Sequence, residues 1–276
     1  MKKNGEYMKK AMLNRKSERT YNGIPLSEEH EKKLIAYLDD EKNRIGINGH
    51  TIAIYYQKVV NQKSEKIGTY GIIKKAPAYL ITVCKNNSKA MLDCGYVFEK
   101  LVLYLESMGI ATCWLGGTFN RNKINLVASP APDEIIPIIS PVGYSARKKA
   151  MTDHLFRKMA HSDSRKDFDL LFYDHEKTVI EDISLKKQLA YVRVAPSASN
   201  QQPWRVIIDS AKNAHFYINR TPKYGDKLGY DIQMIDIGIA LCHYELATGN
   251  KHFFEKTEQF SIEKEHWNYV ISVGLR

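Results

Sequence analysis

Ala195-Pro196-Ser197-Ala198-Ser199-Asn200-Gln201-Gln202-Pro203-Trp204 is the most informative stretch of the chain. Two prolines bracket small polar residues, after a helical pattern and before an apolar strand pattern at Arg205–Asp209. Proline restricts φ on both sides, while Ser, Asn and Gln offer amide and hydroxyl groups within a few residues. Such a loop can bring backbone N–H groups and an Asn amide up to a flat ligand. It can also be an ordinary helix-to-strand connection, so the surroundings must decide.

Working outward, the same order of elements occurs twice. Lys32-Lys33-Leu34-Ile35-Ala36-Tyr37-Leu38 is echoed by Lys186-Lys187-Gln188-Leu189-Ala190-Tyr191-Val192, and the strand Ala78–Val83 by Ala214–Asn219. The apolar helix ending at Gly109 has a counterpart in Ile235–Gly249, and Ile139-Ser140-Pro141-Val142-Gly143 in Ile271-Ser272-Val273-Gly274. Four echoes in one order point to a tandem duplication and to two like halves about a pseudo-twofold axis. The charged stretch Ala160–Lys166 is the expected joint, dividing the chain at 1–159 and 160–276.

Local patterns fill in the elements. Ser27 is placed to cap a helix whose first turn holds Glu28 and Glu29 and whose apolar face carries Leu34, Ile35 and Leu38. Thr51–Val60 and Ala78–Cys84 are β-branched and aromatic, as strands are. Gly95–Met108 is apolar almost all round, so it belongs at the centre of the protein. Ile135–Val142 reads as one strand, which Pro137 and Pro141 push to a sheet edge.

Two further segments are not repeated between the halves. Arg15-Lys16-Ser17-Glu18-Arg19-Thr20-Tyr21 sets two guanidinium groups and a hydroxyl within five residues, which suits a phosphate or a solvated basic turn. Ala111-Thr112-Cys113-Trp114-Leu115-Gly116-Gly117 follows the central helix. Its paired glycines suit a backbone approaching a ligand, or a plain turn.

Composition narrows the field. The 276 residues are 43% hydrophobic, ample for a core, and no run approaches the roughly 20 apolar residues of a membrane span. The basic start lacks an apolar run behind it, so a cytoplasmic protein is expected. Cys84, Cys94, Cys113 and Cys242 sit among apolar residues without C-x-x-C spacing, which argues for buried thiols and against zinc or disulfides. His154, His161 and His175 read as surface groups near the joint, not metal ligands. The net charge of +10 admits a nucleic-acid surface, but the lysines are scattered beside acids and no nucleic-acid motif accompanies them.

Together the segments resemble the nitroreductase family. Its opening R-x-S-x-R and aromatic are matched by Arg15, Ser17, Arg19 and Tyr21, and its A-P-S-x-x-N-x-Q-P-W signature by Ala195 through Trp204. Trp114–Gly117 matches its glycine-rich segment. Pro141, Gly143 and Tyr144, with Arg147 and Lys148 beyond, match its P-x-G-Y strand end. One departure is informative: the A-P-S-x-x-N signature usually follows the first helix, and here it stands in the second half. The resemblance therefore implies an α+β, nitroreductase-like fold. Two similar α/β halves would form a pseudo-dimer around a central helix pair, building one FMN site where the family's homodimers build two. The mirror-related site would be dead, and a monomer is expected.

By the same resemblance Arg15, Arg147 and Lys148 would hold the FMN phosphate, with Lys16 and Ser17 beside them. Arg19 would lie near flavin N1 and the C2 carbonyl. Leu115, Gly116 and Gly117 would approach the N5 edge, and Pro196, Ser197, Ala198 and Asn200 would line the other edge and face. Hydride would pass from NAD(P)H to flavin N5 and on to a small acceptor such as a nitroaromatic, quinone or enone. Kinetics would be ping-pong, and no catalytic side chain or metal is called for. A flavin store or sensor with little turnover remains the alternative, and then a basic nucleic-acid-binding protein on an inherited fold.

Overall fold

A computed structural model of the chain describes residues 2–59, 69, 71–121, 124, 128–147, 164–256 and 266–274. The helices are α1 (Lys2–Asn14), α2 (Glu28–Asp39), α3 (Ser88–Ser107), α4 (Ile183–Arg193) and α5 (Ile232–Thr248). The strands are β1 (Ala53–Lys58), β2 (Ala78–Lys85), β3 (Ala111–Thr112), β4 (Glu134–Ile135), β5 (Ile139–Gly143), β6 (Phe172–Asp174), β7 (Trp204–Ile208), β8 (Ala214–Asn219), β9 (His252–Phe254) and β10 (Trp267–Gly274).

Two sheets form, one from each half of the sequence. The first runs β1-β2-β5-β3, with β4 also on β2, and the second β6-β7-β8-β10-β9. Within each, the strand preceding the long helix pairs antiparallel with the strand that closes the half: β2 with β5, and β8 with β10. The second sheet adds β6, parallel to β7. Between the sheets lie α3 and α5, both buried along most of their length, within one apolar core that draws on both halves. Burying each Leu, Ile or Phe there contributes about 1.5–3 kcal/mol, which makes this helix pair the main source of cohesion.

The pair meets through two glycines. A Cβ on Gly95 would lie 2.0 Å from the Ile235 carbonyl oxygen, and one on Gly238 would lie 2.0 Å from that of Leu92. The contact is reciprocal: each helix places its glycine against the residue three positions before the other's glycine. Only a residue without a Cβ permits such an approach.

Several expectations need correction. The central helix starts at Ser88 rather than Gly95, because Asn87 caps it by accepting from the Ala90 N–H. Ser27 caps α2 as read, with its Oγ taking the His30 N–H at 3.3 Å, but Ile35 is 43% exposed and only Leu34 on that face is fully buried. The edge strand read at Ile135–Val142 is instead two strands, and β5 is interior. Pro141 is tolerated there because its nitrogen faces β3, on the side where Ile139 pairs with Leu115. At that register the ladder is broken, and the Cys113 N–H turns to Ser140 Oγ at 3.1 Å. A proline costs nothing where no N–H is called for.

All four cysteines are buried, and no helix among the described residues is long and apolar enough to cross a membrane. His175 is half-exposed, while His154 and His161 lie outside the described residues.

Candidate functional site

The segment 15–21 is extended. Parallel bridges tie Ser17 to Thr112 and Thr20 to Lys74, an antiparallel bridge ties Tyr21 to Ser145, and the Glu18 N–H bonds to the Thr112 carbonyl at 2.9 Å. An extended chain sends alternate side chains to one side. Arg15, Ser17 and Arg19 accordingly line one cavity, and Lys16 between them is exposed and absent from its lining.

The opposite wall is the 196–200 loop, where Pro196, Ser197, Ala198, Ser199 and Asn200 line the same cavity. The loop is strained: Ser199, Asn200 and Gln202 have φ of 46°, 55° and 46°, in the left-handed region. Non-glycine residues hold such angles at a cost of about 1–3 kcal/mol each, and only when their surroundings dictate it. Here side chains do so. Ser197 Oγ accepts from the Gln202 N–H at 2.8 Å, Asn200 Nδ2 donates to the Ser164 carbonyl at 3.1 Å, and Gln202 Oε1 accepts from the Lys166 N–H at 3.0 Å. Tyr224 donates to Ser199 Oγ at 2.9 Å. Asn200 thus clips the 164–166 segment to the loop, and that clip carries Arg165 into the cavity lining. Arg165 in turn donates to Asn200 Oδ1 and to the Val194 carbonyl.

Trp114 and Gly116 complete the arginine side, and Ile138, Ile232, Ile235 and Ile239 give the cavity flat apolar walls. Its free space is about 740 Å³ when the open solvent at its mouth is counted. A Cβ at Gly116 would come within 2.7 Å of the Ile232 Cδ1 and 3.0 Å of the Tyr230 hydroxyl. Leu115 is buried and Gly117 lies against Leu228; neither lines the cavity. Arg147 is exposed and outside the lining, and Lys148 lies outside the described residues.

Beneath Arg15 is a buried polar group that the sequence reading passed over. Glu99, fully buried on α3, accepts from Trp114 Nε1 at 2.9 Å through Oε2. Its Oε1 lies 2.9 Å from His243 Nε2 on α5 and 3.9 Å from Arg15 Nε. His243 Nδ1 donates to the Tyr191 carbonyl at 2.7 Å, which fixes the ring. One carboxylate therefore holds two cavity residues, Arg15 and Trp114. Even so, Arg15 Nε and Nη1 are buried with no hydrogen-bond partner among the described residues. Asp236, also in the lining, has an unpartnered Oδ2, and burial pushes its carboxyl well above the usual range. Among the described residues, three arginines around a cavity whose one carboxylate is disfavoured as an anion suit an acceptor-rich, negatively charged ligand.

A second cavity is lined in part by Asn48, Lys89, Leu92, Arg220 and Phe253. Its cations are already matched: Lys89 with Glu255 at 3.0 Å, and Arg220 with Asp231 at 2.6 Å.

Residues 7–248 match the family described as "Putative TM nitroreductase". An FMN reductase (NADPH) of Bacillus subtilis (strain 168) is 19% identical over 197 residues, covering 67% of this chain and 71% of that protein. The crystal structure of a putative nitroreductase from Thermotoga maritima MSB8 aligns over 96% of this chain and 92% of its own. The TM-score is 0.58 and the identity 19%, a likeness of fold.

Proposed function

This chain belongs to the "Putative TM nitroreductase" family, and on that premise we propose that it is an FMN-dependent oxidoreductase acting on a small organic acceptor with NAD(P)H as donor. The observation that carries the reading is the convergence of Arg15 and Asn200 on one cavity, with Arg15 presenting buried N–H groups that no described residue accepts. Unmatched buried donors of a permanent cation are costly, and a bound anion with carbonyl and phosphate oxygens removes the cost.

FMN, when bound, would supply the hydride-transferring centre, which the protein's own side chains lack. Arg15, Ser17 and Arg19 would hold one edge of it, with Arg165 adding a third cation to the lining. Pro196, Ser197, Ala198 and Asn200 would hold the other edge on a loop too constrained to collapse into the gap. Gly116 lets the backbone come close, and the isoleucine walls keep water from the ring. Arg147 and Lys148 keep their expected phosphate role as part of this proposal. The fused arrangement, with halves at 1–159 and 160–276, is proposed as well. It is supported by the matching strand order of the two sheets and the reciprocal glycines.

The test is an absorption spectrum of the purified protein, before and after anaerobic NADH or NADPH. A flavin spectrum with about one FMN per chain that the donor bleaches is expected. A colourless protein that does not take up FMN overturns the reading. A flavin that neither donor bleaches turns it into a store. Two flavins per chain would show that the second cavity is a working site.

A further inference from the structure

The crossing glycines are each part of a larger repeat: Asp93-Cys94-Gly95 on α3 and Asp236-Ile237-Gly238 on α5. Since Gly95 meets Ile235 and Gly238 meets Leu92, the reciprocal contact makes Asp93 and Asp236 equivalent positions. Both carboxyls are buried and both receive a loop: residues 46–50 fold onto Asp93, and residues 196–200 onto Asp236.

They are satisfied differently. Asp93 Oδ1 accepts from the Asn48 N–H and Nδ2 at 3.0 Å each, and Oδ2 accepts from the His50 N–H at 3.2 Å and meets Nδ1 at 2.8 Å. The first-half loop thus consumes both oxygens. Asp236 Oδ1 accepts from the Ala198 N–H at 2.8 Å, and Oδ2 accepts from none of the described residues. No side chain corresponding to Asn48 or His50 reaches it, and the cavity occupies that side of the helix. Facing groups do not compensate it. Asp231, the N-cap of the same helix, is held by Arg220, and the phenols of Tyr224 and Tyr230 donate to Ser199 Oγ and to the Gly116 and Pro137 carbonyls.

We propose that Asp236 contacts the cofactor: its Oδ2, carrying a proton, donates a hydrogen bond to an acceptor atom of the flat heterocycle that fills the cavity. Arg15, Arg19 and Arg165 share the cavity, but none forms an ion pair with Asp236 among the described residues. A buried carboxyl with one N–H partner and no paired cation is best accommodated uncharged, and an uncharged carboxyl has one O–H to place. The equivalence also explains why one of two like positions faces a ligand: the loop on Asp93 uses up the donor-acceptor capacity that the loop on Asp236 leaves open. This inference rests on the cofactor reading above.

The experiment is FMN titration of wild type, Asp236→Asn and Asp236→Ala by quenching of flavin fluorescence, alongside infrared difference spectra of apo and FMN-loaded protein. Asparagine can keep an acceptor for Ala198 and set an N–H donor in place of the O–H, so its affinity should stay within about threefold of wild type. Alanine should lose about tenfold or more, equivalent to about 1.4 kcal/mol. The infrared spectrum of wild type, apo included, should contain a protonated-carboxyl stretch that Asp236→Asn lacks, moving to lower frequency on FMN addition. An asparagine variant as weak as alanine, or an alanine variant as tight as wild type, overturns the proposal. So does the absence of that band, which keeps the question decidable if the alanine variant does not fold. Wild type that fails to bind FMN removes the cofactor reading itself, and this inference with it.

Discussion

Replacing either crossing glycine by alanine sets two effects against each other. In an isolated helix alanine is favoured over glycine by about 1 kcal/mol. At Gly238 the added Cβ would stand 2.0 Å from the Leu92 carbonyl oxygen, whereas ordinary contact begins at 3.4 Å. The obstacle is backbone, which cannot swing aside as a side chain does. The helices would have to part by more than an ångström along a seam that includes fully buried Leu92, Leu101 and Ile239. Overpacking a core costs about 1–3 kcal/mol and sometimes more, and an obstacle of backbone belongs at the upper end. We expect a net loss of about 2–4 kcal/mol for Gly95→Ala and for Gly238→Ala. In a chain of this size each kcal/mol moves Tm by about 2–4 °C, so the drop should be about 4 °C or more. Thermal unfolding followed by circular dichroism reads it. Because both substitutions strain one seam, the double variant should lose less than the sum of the two. Either single variant melting at or above wild type would mean that helix propensity wins and that the close crossing is not real.

Glu99→Gln removes the carboxylate shared by Arg15, Trp114 and His243; a loss of about 3–5 kcal/mol in urea unfolding and weakened FMN binding are expected, because one buried charge stays behind uncompensated. Asn200→Ala should weaken FMN binding by roughly tenfold, since the amide holds both Ser164 and Arg165; unchanged affinity in a fluorescence titration would show that the clip does not shape the site. His215 lies buried between Ser272 Oγ at 2.7 Å and Asp209 Oδ2 at 3.1 Å, and burial, partly offset by Asp209, holds its pKa below the ordinary 6.5. Its folded value is depressed, so the stability of the neutral ring is fully present above 6.5 and lost as pH falls through the folded value. Unfolding free energy should therefore fall on going from about pH 7 to about pH 5, by at most about 1.4 kcal/mol per unit for this group, and His215→Gln should flatten that slope.

Much of this was legible because it rests on period and local backbone chemistry. Alternation of Arg15, Ser17 and Arg19 needs only an extended chain, and the bracketing prolines with Asn200 and Gln202 announce a constrained loop whose left-handed angles were hidden but whose place was not. Pro141 misled because proline's cost depends on which neighbour its nitrogen faces, and the broken ladder at Cys113 lies far away in sequence. Reading the central helix as Gly95–Met108 and apolar almost all round leaves Asp93 outside its bounds and takes no account of Glu99. A carboxylate inside such a helix was itself the missed signal, since burial of that kind demands partners. His243, Asp236 and Arg165 were missed for a related cause: their roles come from what α3, α5 and the 164–166 segment bring together, and no local pattern encodes a pairing across the core.

Asp93 and Asp236 sit at matching places on two helices, yet each is written at its own codon. In an assembly of identical subunits, any exchange at such a place strikes every copy of the site together. Here Asn48 and His50 can alter without touching the wall made by residues 196–200, and Asp236 can alter without loosening the fold of residues 46–50. One cavity can thus be retuned for a new ligand while the other side goes on bracing the helix seam.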